Sequence, residues 1–165
     1  MLTVGDNILV YEKQLVIPRQ LGRVAVGVIG RRQADGAASA IDTAPLRQFH
    51  GMADDWVTVA PCHPYFERLR AAGRDAKLTE YPDAHHSYDN PLGSKTPVIA
   101  KDAQSTRDCF LKEESRGIII NVKSGQPFSY KDPCVVLNPH TGHNEAATLA
   151  TRNEVTALLK TVFKL

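Results

Sequence analysis

The sequence predicts an α/β fold, a mostly parallel sheet with flanking helices and a small β-meander near the C-terminus. Three observations carry this expectation. First, residues 45–81 read as strand, helix, strand. Pro45-Leu46-Arg47-Gln48-Phe49-His50 is a short strand ending at Gly51, and Tyr65, Phe66, Leu69 and Ala72 recur at helical spacing. Ala76 to Tyr81 then alternates as a strand and stops at Pro82. The segment has the length of a right-handed crossover between parallel strands. Second, Arg23 to Gly30 is β-branched, apolar and bounded by glycines, as a buried parallel strand is. Third, residues 109–136 carry short apolar runs separated by turn residues.

Taken in order, residues 1–43 are the least patterned part. Asn7 to Tyr11 and Gln14 to Ile17 are strand-like, with Pro18 as a stop, and Arg31 to Ile41 has the composition of a helix start. Residues 44–165 form the better-defined portion. Pro61 sits where the first turn of a helix tolerates proline, and Gly73 is a good C-terminal stop. Residues 89–105 are a loop punctuated by Pro and Gly. Gly117 to Val122, Phe128 to Tyr130 and Cys134 to Leu137 are the expected meander strands, with Lys123 to Gln126 as a turn. Asn144 is placed to cap a last helix carrying Ala147, Leu149, Val155, Leu158, Leu159 and Val162, and Lys160 and Lys164 suit its dipole.

Bulk properties exclude several classes. A chain of 165 residues with 42% hydrophobic and 23% charged residues is of the globular type, and one domain is the default. A net charge of +2 gives no reason to expect nucleic acid or an anionic membrane as partner. No apolar run approaches the length of a membrane-spanning helix, and the N-terminus lacks a signal-peptide pattern, so the expected location is cytoplasmic. Three cysteines make no disulfide framework. Cys109 and Cys134 flank the hairpin region and can face each other; in a reducing compartment they stay thiols.

The chemistry-bearing residues fall in the two loops that leave the paired strands. Asp54 follows the first strand and His86 the second, at the sheet edge where open α/β sheets bind ligands. An acid followed by a histidine in that order is how an acid–base pair is supplied to a nucleophile. Trp56 and Tyr88 are candidate pocket walls, with ordinary packing as the competing role. His85, His86, His140 and His143 do not have the spacing of a metal site, and no metal or cofactor is expected. Cys62 begins a helix, where a thiol can be activated, and Ser39 lacks the second glycine of a nucleophile turn.

With these residues placed, residues 44–165 resemble the C-terminal part of the dienelactone hydrolase family of α/β-hydrolases. The carrying pieces are Pro45 to Asp55, Tyr65 to Gly73 and Tyr81 to Pro91, with Pro139 to Asn144 resembling the tail of a bacterial subgroup. The resemblance implies a partial α/β-hydrolase fold and hydrolysis of small esters or lactones through a Cys or Ser nucleophile, without metal. The family's Gly-x-x-Asp pattern selects Asp54 over Asp55. Its histidine, followed by a small residue and then an aromatic, selects His86 over His85. The departure is the nucleophile. The sequence holds no Gly-x-Ser-x-Gly or Gly-x-Cys-x-Gly turn, and Gly27-Val28-Ile29-Gly30-Arg31 places Ile29 where it would stand. Residues 1–43 then read as a remnant of the nucleophile-bearing half. The alternative is a non-catalytic binding or assembly protein, self-associating through exposed sheet edges.

Overall fold

The computed structural model describes residues 15–16, 25–26, 45–115 and 117–164. The expected strand at Asn7–Tyr11, the helix start at Arg31–Ile41, and the positions of Ile29 and Ser39 lie outside them. Strands β1 (Leu15–Val16) and β2 (Ala25–Val26) pair antiparallel. β2 lies parallel to β3 (Leu46–Gly51), which lies parallel to β4 (Ala76–Tyr81), in register from Leu46–Ala76 to Gly51–Tyr81. The sheet order is β1-β2-β3-β4. Among the described residues β4 is therefore an edge, and it carries Lys77 and Glu80, charges that oppose the addition of a further strand.

Helix α1 (Cys62–Ala71) joins β3 to β4. Pro61 precedes it without a side-chain cap. Its end follows from Gly73, whose φ of +72° no β-carbon opposes. The amides of Gly73 and Arg74 then reach back to the carbonyls of Arg70 and Leu69, satisfying the last turn. Cys62, Phe66 and Leu69 lie one turn apart and pack on Leu46 and Ala76. Burying side chains as large as Phe66 and Leu69 contributes about 1.5–3 kcal/mol each. The opposite face of the sheet meets α2 (Glu145–Phe163) through Phe49, Ala84, Tyr88 and Ala147. Asn144 caps α2 as expected, its side chain accepting the Ala147 amide at 3.0 Å. A 2.7 Å ion pair joins Lys77 to Glu154.

The rest is built of short antiparallel pairs. β5 (Val98–Ile99) pairs with β11 (His140–Thr141), and β6 (Gln104–Ser105) pairs with β10 (Val136–Leu137). β7 (Leu111–Ser115), β8 (Ile118–Asn121) and β9 (Gln126–Pro127) form a three-stranded sheet in chain order. Cys109 and Cys134 form a disulfide at the base of this region.

The expected mostly parallel sheet with flanking helices, a partial α/β-hydrolase fold, is not what the described residues form. Among the described residues only β2–β3 and β3–β4 are parallel strand pairs, beside an isolated parallel bridge between His86 and Thr141; the other strand pairs are antiparallel, and α1 and α2 are the helices. The sequence pattern supports one crossover, between β3 and β4, and no more. Beyond Pro91 no second helix-length periodic segment precedes Asn144, so nothing builds further crossovers. The meander also differs from expectation. Its third strand is Gln126–Pro127, and Val136–Leu137 leaves it to pair with β6. Pro133 offers no amide hydrogen to continue a ladder, and Cys134 is tied to Cys109. Among the described residues no helix is long and apolar enough to cross a membrane.

The disulfide spans a sequence separation of 25. Replacing both cysteines by serine (Cys109→Ser with Cys134→Ser) is expected to lower the unfolding free energy by about 3 kcal/mol. Urea unfolding without reductant measures this, and an unchanged midpoint would show that the bond constrains nothing.

Candidate active site

The site is made where the loop after β3 presses on the loop after β4. Gly51 makes the approach possible, because a β-carbon there would stand 2.0 Å from the Ala84 carbonyl oxygen. The Met52 amide then donates to Tyr81 O at 2.9 Å and the Ala53 amide to Ala84 O at 3.1 Å. These bonds bring Asp54 opposite His86.

Asp54 is buried, and its two carboxylate oxygens have separate tasks. Oδ1 accepts the backbone amides of Trp56 at 2.9 Å and Val57 at 2.8 Å, which fixes the carboxylate plane. Oδ2 faces His86 Nδ1 at 3.0 Å. A carboxylate accepts only, so His86 carries its proton on Nδ1 and presents the Nε2 lone pair. The His86 backbone is held by Thr141, whose hydroxyl donates to His86 O at 2.9 Å, and by the Gly142 amide at 3.1 Å. Asp83 and Ser87, on either side, adopt left-handed backbone with φ of 56° and 59°. Such conformations are uncommon for residues with a β-carbon and bulky ones resist them most, which suits a small residue directly after the histidine.

Trp56 lies against His86, ring centroids 4.7 Å apart, and its indole N–H donates to Gln104 O at 3.0 Å. This contact places the Trp56 ring beside the Asp54–His86 pair. Tyr88 is instead a core residue. It is buried between Phe49, Ala84 and Ala147, and its hydroxyl bonds Thr151 at 2.8 Å. Burial raises its phenol above the usual range, with the Thr151 bond working against that. Its place in the core supersedes the pocket role.

Asp55, set aside in the sequence in favour of Asp54, pairs with His140. Asp55 accepts the His140 amide at 2.7 Å on Oδ1, and its Oδ2 faces His140 Nδ1 at 3.0 Å. Arg107 donates to the same Oδ2 at 2.9 Å and to Asp55 O at 2.6 Å. Burial alone would raise the Asp55 carboxyl. The hydrogen bonds from His140, with the charges of His140 and Arg107, outweigh it and hold the group below its ordinary value. His143 binds Tyr88 O at 2.8 Å and Glu145 at 3.0 Å. The histidines thus face different partners, and among the described residues no three His, Cys, Asp or Glu side chains converge as a metal site.

Two residues escaped the sequence reading, Gln48 and His50, and Gln48 meets Cys62. Gln48 and His50 are buried on the β3 face that meets α1. Gln48 Nε2 lies 3.3 Å from His50 Nδ1 and 3.1 Å from Cys62 Sγ. Burial raises the Cys62 thiol, a Gln48 hydrogen bond opposes this, and the Glu80 charge adds to it. Cys62 therefore stays protonated, and its place at a helix start does not activate it.

No protein-family model, curated protein or solved structure matches the chain. The case for a function rests on the site's own geometry and on the motifs that carry the resemblance.

Two outcomes follow from this geometry. Gly51→Ala is expected to cost about 1–3 kcal/mol, because the added methyl must push the Ala84 carbonyl away. Urea unfolding reads the cost, and a neutral substitution would disprove the close approach. Asp55 sets an acid limb. A carboxyl whose folded-state pKa is depressed stabilises the fold above its unfolded value, and that contribution disappears as pH falls through the folded value. Stability is expected to fall below about pH 4, and Asp55→Asn to flatten that part of the curve of unfolding midpoint against pH.

Proposed function

We propose that the chain is a dienelactone hydrolase-like hydrolase acting on ester or lactone bonds, with Asp54 and His86 as its acid–base pair. The observation that carries this is the 3.0 Å contact between His86 Nδ1 and an Asp54 carboxylate whose other oxygen is locked by two amides. That arrangement leaves Nε2 as the base and stabilises the imidazolium that forms when it takes a proton. The motifs from Gly51 to Asp54 and from Pro82 to Tyr88 support the same assignment by resemblance. The short antiparallel sheets lend it no support.

The sequence holds no nucleophile turn, so water is the nucleophile for this chain alone. Nε2 removes a proton from water as its oxygen attacks the acyl carbon. The resulting imidazolium, paired with Asp54, returns that proton to the leaving alkoxide. The products are the carboxylic acid and the alcohol, or the hydroxy acid from a lactone. The Cys109–Cys134 disulfide argues for an oxidising compartment and against the cytoplasmic location expected from the N-terminus.

Hydrolysis of p-nitrophenyl acetate tests the proposal. The wild-type chain is expected to exceed the buffer rate, His86→Ala to return to it, and Asp54→Asn to lose about 10²-fold or more of the excess. A wild-type rate equal to buffer would remove the hydrolase reading.

A further inference from the structure

We propose that His50 is a positioning residue for the Asp54–His86 pair, acting through the Val57 peptide; the inference rests on reading that pair as the acid and base. His50 sits at the end of β3 with its side chain 1% exposed. Its Nε2 lies 2.7 Å from Val57 O. The amide of the same residue donates to Asp54 Oδ1 at 2.8 Å. Val57 is thus gripped from both sides, its carbonyl by His50 and its N–H by the carboxylate. Nε2 also stands 3.7 Å from Asp54 Oδ2, the oxygen that serves His86.

The proton positions on His50 follow from its partners. Val57 O accepts only, so Nε2 carries hydrogen, and Nδ1 is left to accept from Gln48 Nε2 at 3.3 Å. Gln48 gives its other hydrogen to Cys62 Sγ at 3.1 Å, while its Oε1 is buried without a hydrogen bond. Two polar side chains thus replace apolar ones on the face that packs against α1, and one polar atom is left unsatisfied there. Apolar residues at these positions would pack α1 as well, but none could hold the Val57 carbonyl. What the polar pair supplies is a fixed donor under the acid loop.

The test is the His86 Nδ1–H resonance in ¹H NMR of the full chain with ¹⁵N-labelled histidine. A proton held between imidazole and carboxylate gives a low-field, slowly exchanging signal. Asp54→Asn is the control. Loss of the signal there supports the acid–base reading, whereas its survival, or its absence from the wild type, overturns that reading regardless of His50. With the control in place, His50→Leu is expected to lose the signal while far-UV circular dichroism is unchanged. His50→Gln is expected to restore it, because its Nε2 lies as many bonds from the backbone as the imidazole Nε2 and can donate to Val57 O. His50→Asn, whose amide is one bond too short, is expected not to restore it, and this contrast with Gln decides the matter if His50→Leu does not fold. A signal that survives in His50→Leu or His50→Asn, or that fails to return in His50→Gln, overturns the positioning role.

Discussion

Two loops lie backbone against backbone at Gly51 and Ala84, and the arrangement of the candidate site depends on that contact. Any β-carbon at position 51 would drive into the Ala84 carbonyl. The amides of Met52 and Ala53 would then lose the carbonyls of Tyr81 and Ala84, and Asp54 would no longer be aimed at His86. The requirement for glycine here is one of space, since its φ is ordinary. The parallel register of β3 and β4 delivers both loops to the same end of the sheet, and α1 sets the distance between the strands' connections. The local fold therefore acts on the site through two carbonyl oxygens.

The short antiparallel pairs that replace the expected sheet are not idle with respect to this contact. β6 presents Ser105, whose hydroxyl donates to Trp56 O at 2.7 Å, and Gln104, whose carbonyl takes the indole N–H. β11 presents Thr141 to the carbonyl of His86 and His140 to Asp55. The acid loop is thus held from beneath by β3 and from outside by residues 48 to 85 positions along the chain. The disulfide closes the segment between these two supports, so the order of β6 and β10 is linked to the order around Trp56.

Much of the central unit was legible in the sequence, because its elements are long enough to show a period. Phe66 and Leu69 announced α1, Gly73 its end, Asn144 the cap of α2, and Gly51 with Asp54 the acid loop. The two-residue ladders were not legible. A pair such as Val136–Leu137 has no period, and its partner is chosen by a disulfide and by Pro133. The buried polar face of β3 was not legible for a different reason. Gln48 and His50 alternate with Phe49 as exposed residues would, yet they point into the α1 interface because each has a hydrogen-bonding partner there. Choosing Asp54 and His86 over their neighbours was possible only from motif resemblance. The structure gives Asp55 and His140 a pairing of similar geometry, which local sequence could not have separated from the first.

Trp56 is the chain's one tryptophan, and its ring rests on the imidazole of His86. Indole emission from this protein therefore originates at one point, within van der Waals range of the proposed base. Protonation of that imidazole, displacement of the acid loop, or a ligand sliding between the two rings would each change the surroundings of the same fluorophore. The molecule carries its own optical probe, placed where the chemistry is proposed to occur and needing no label.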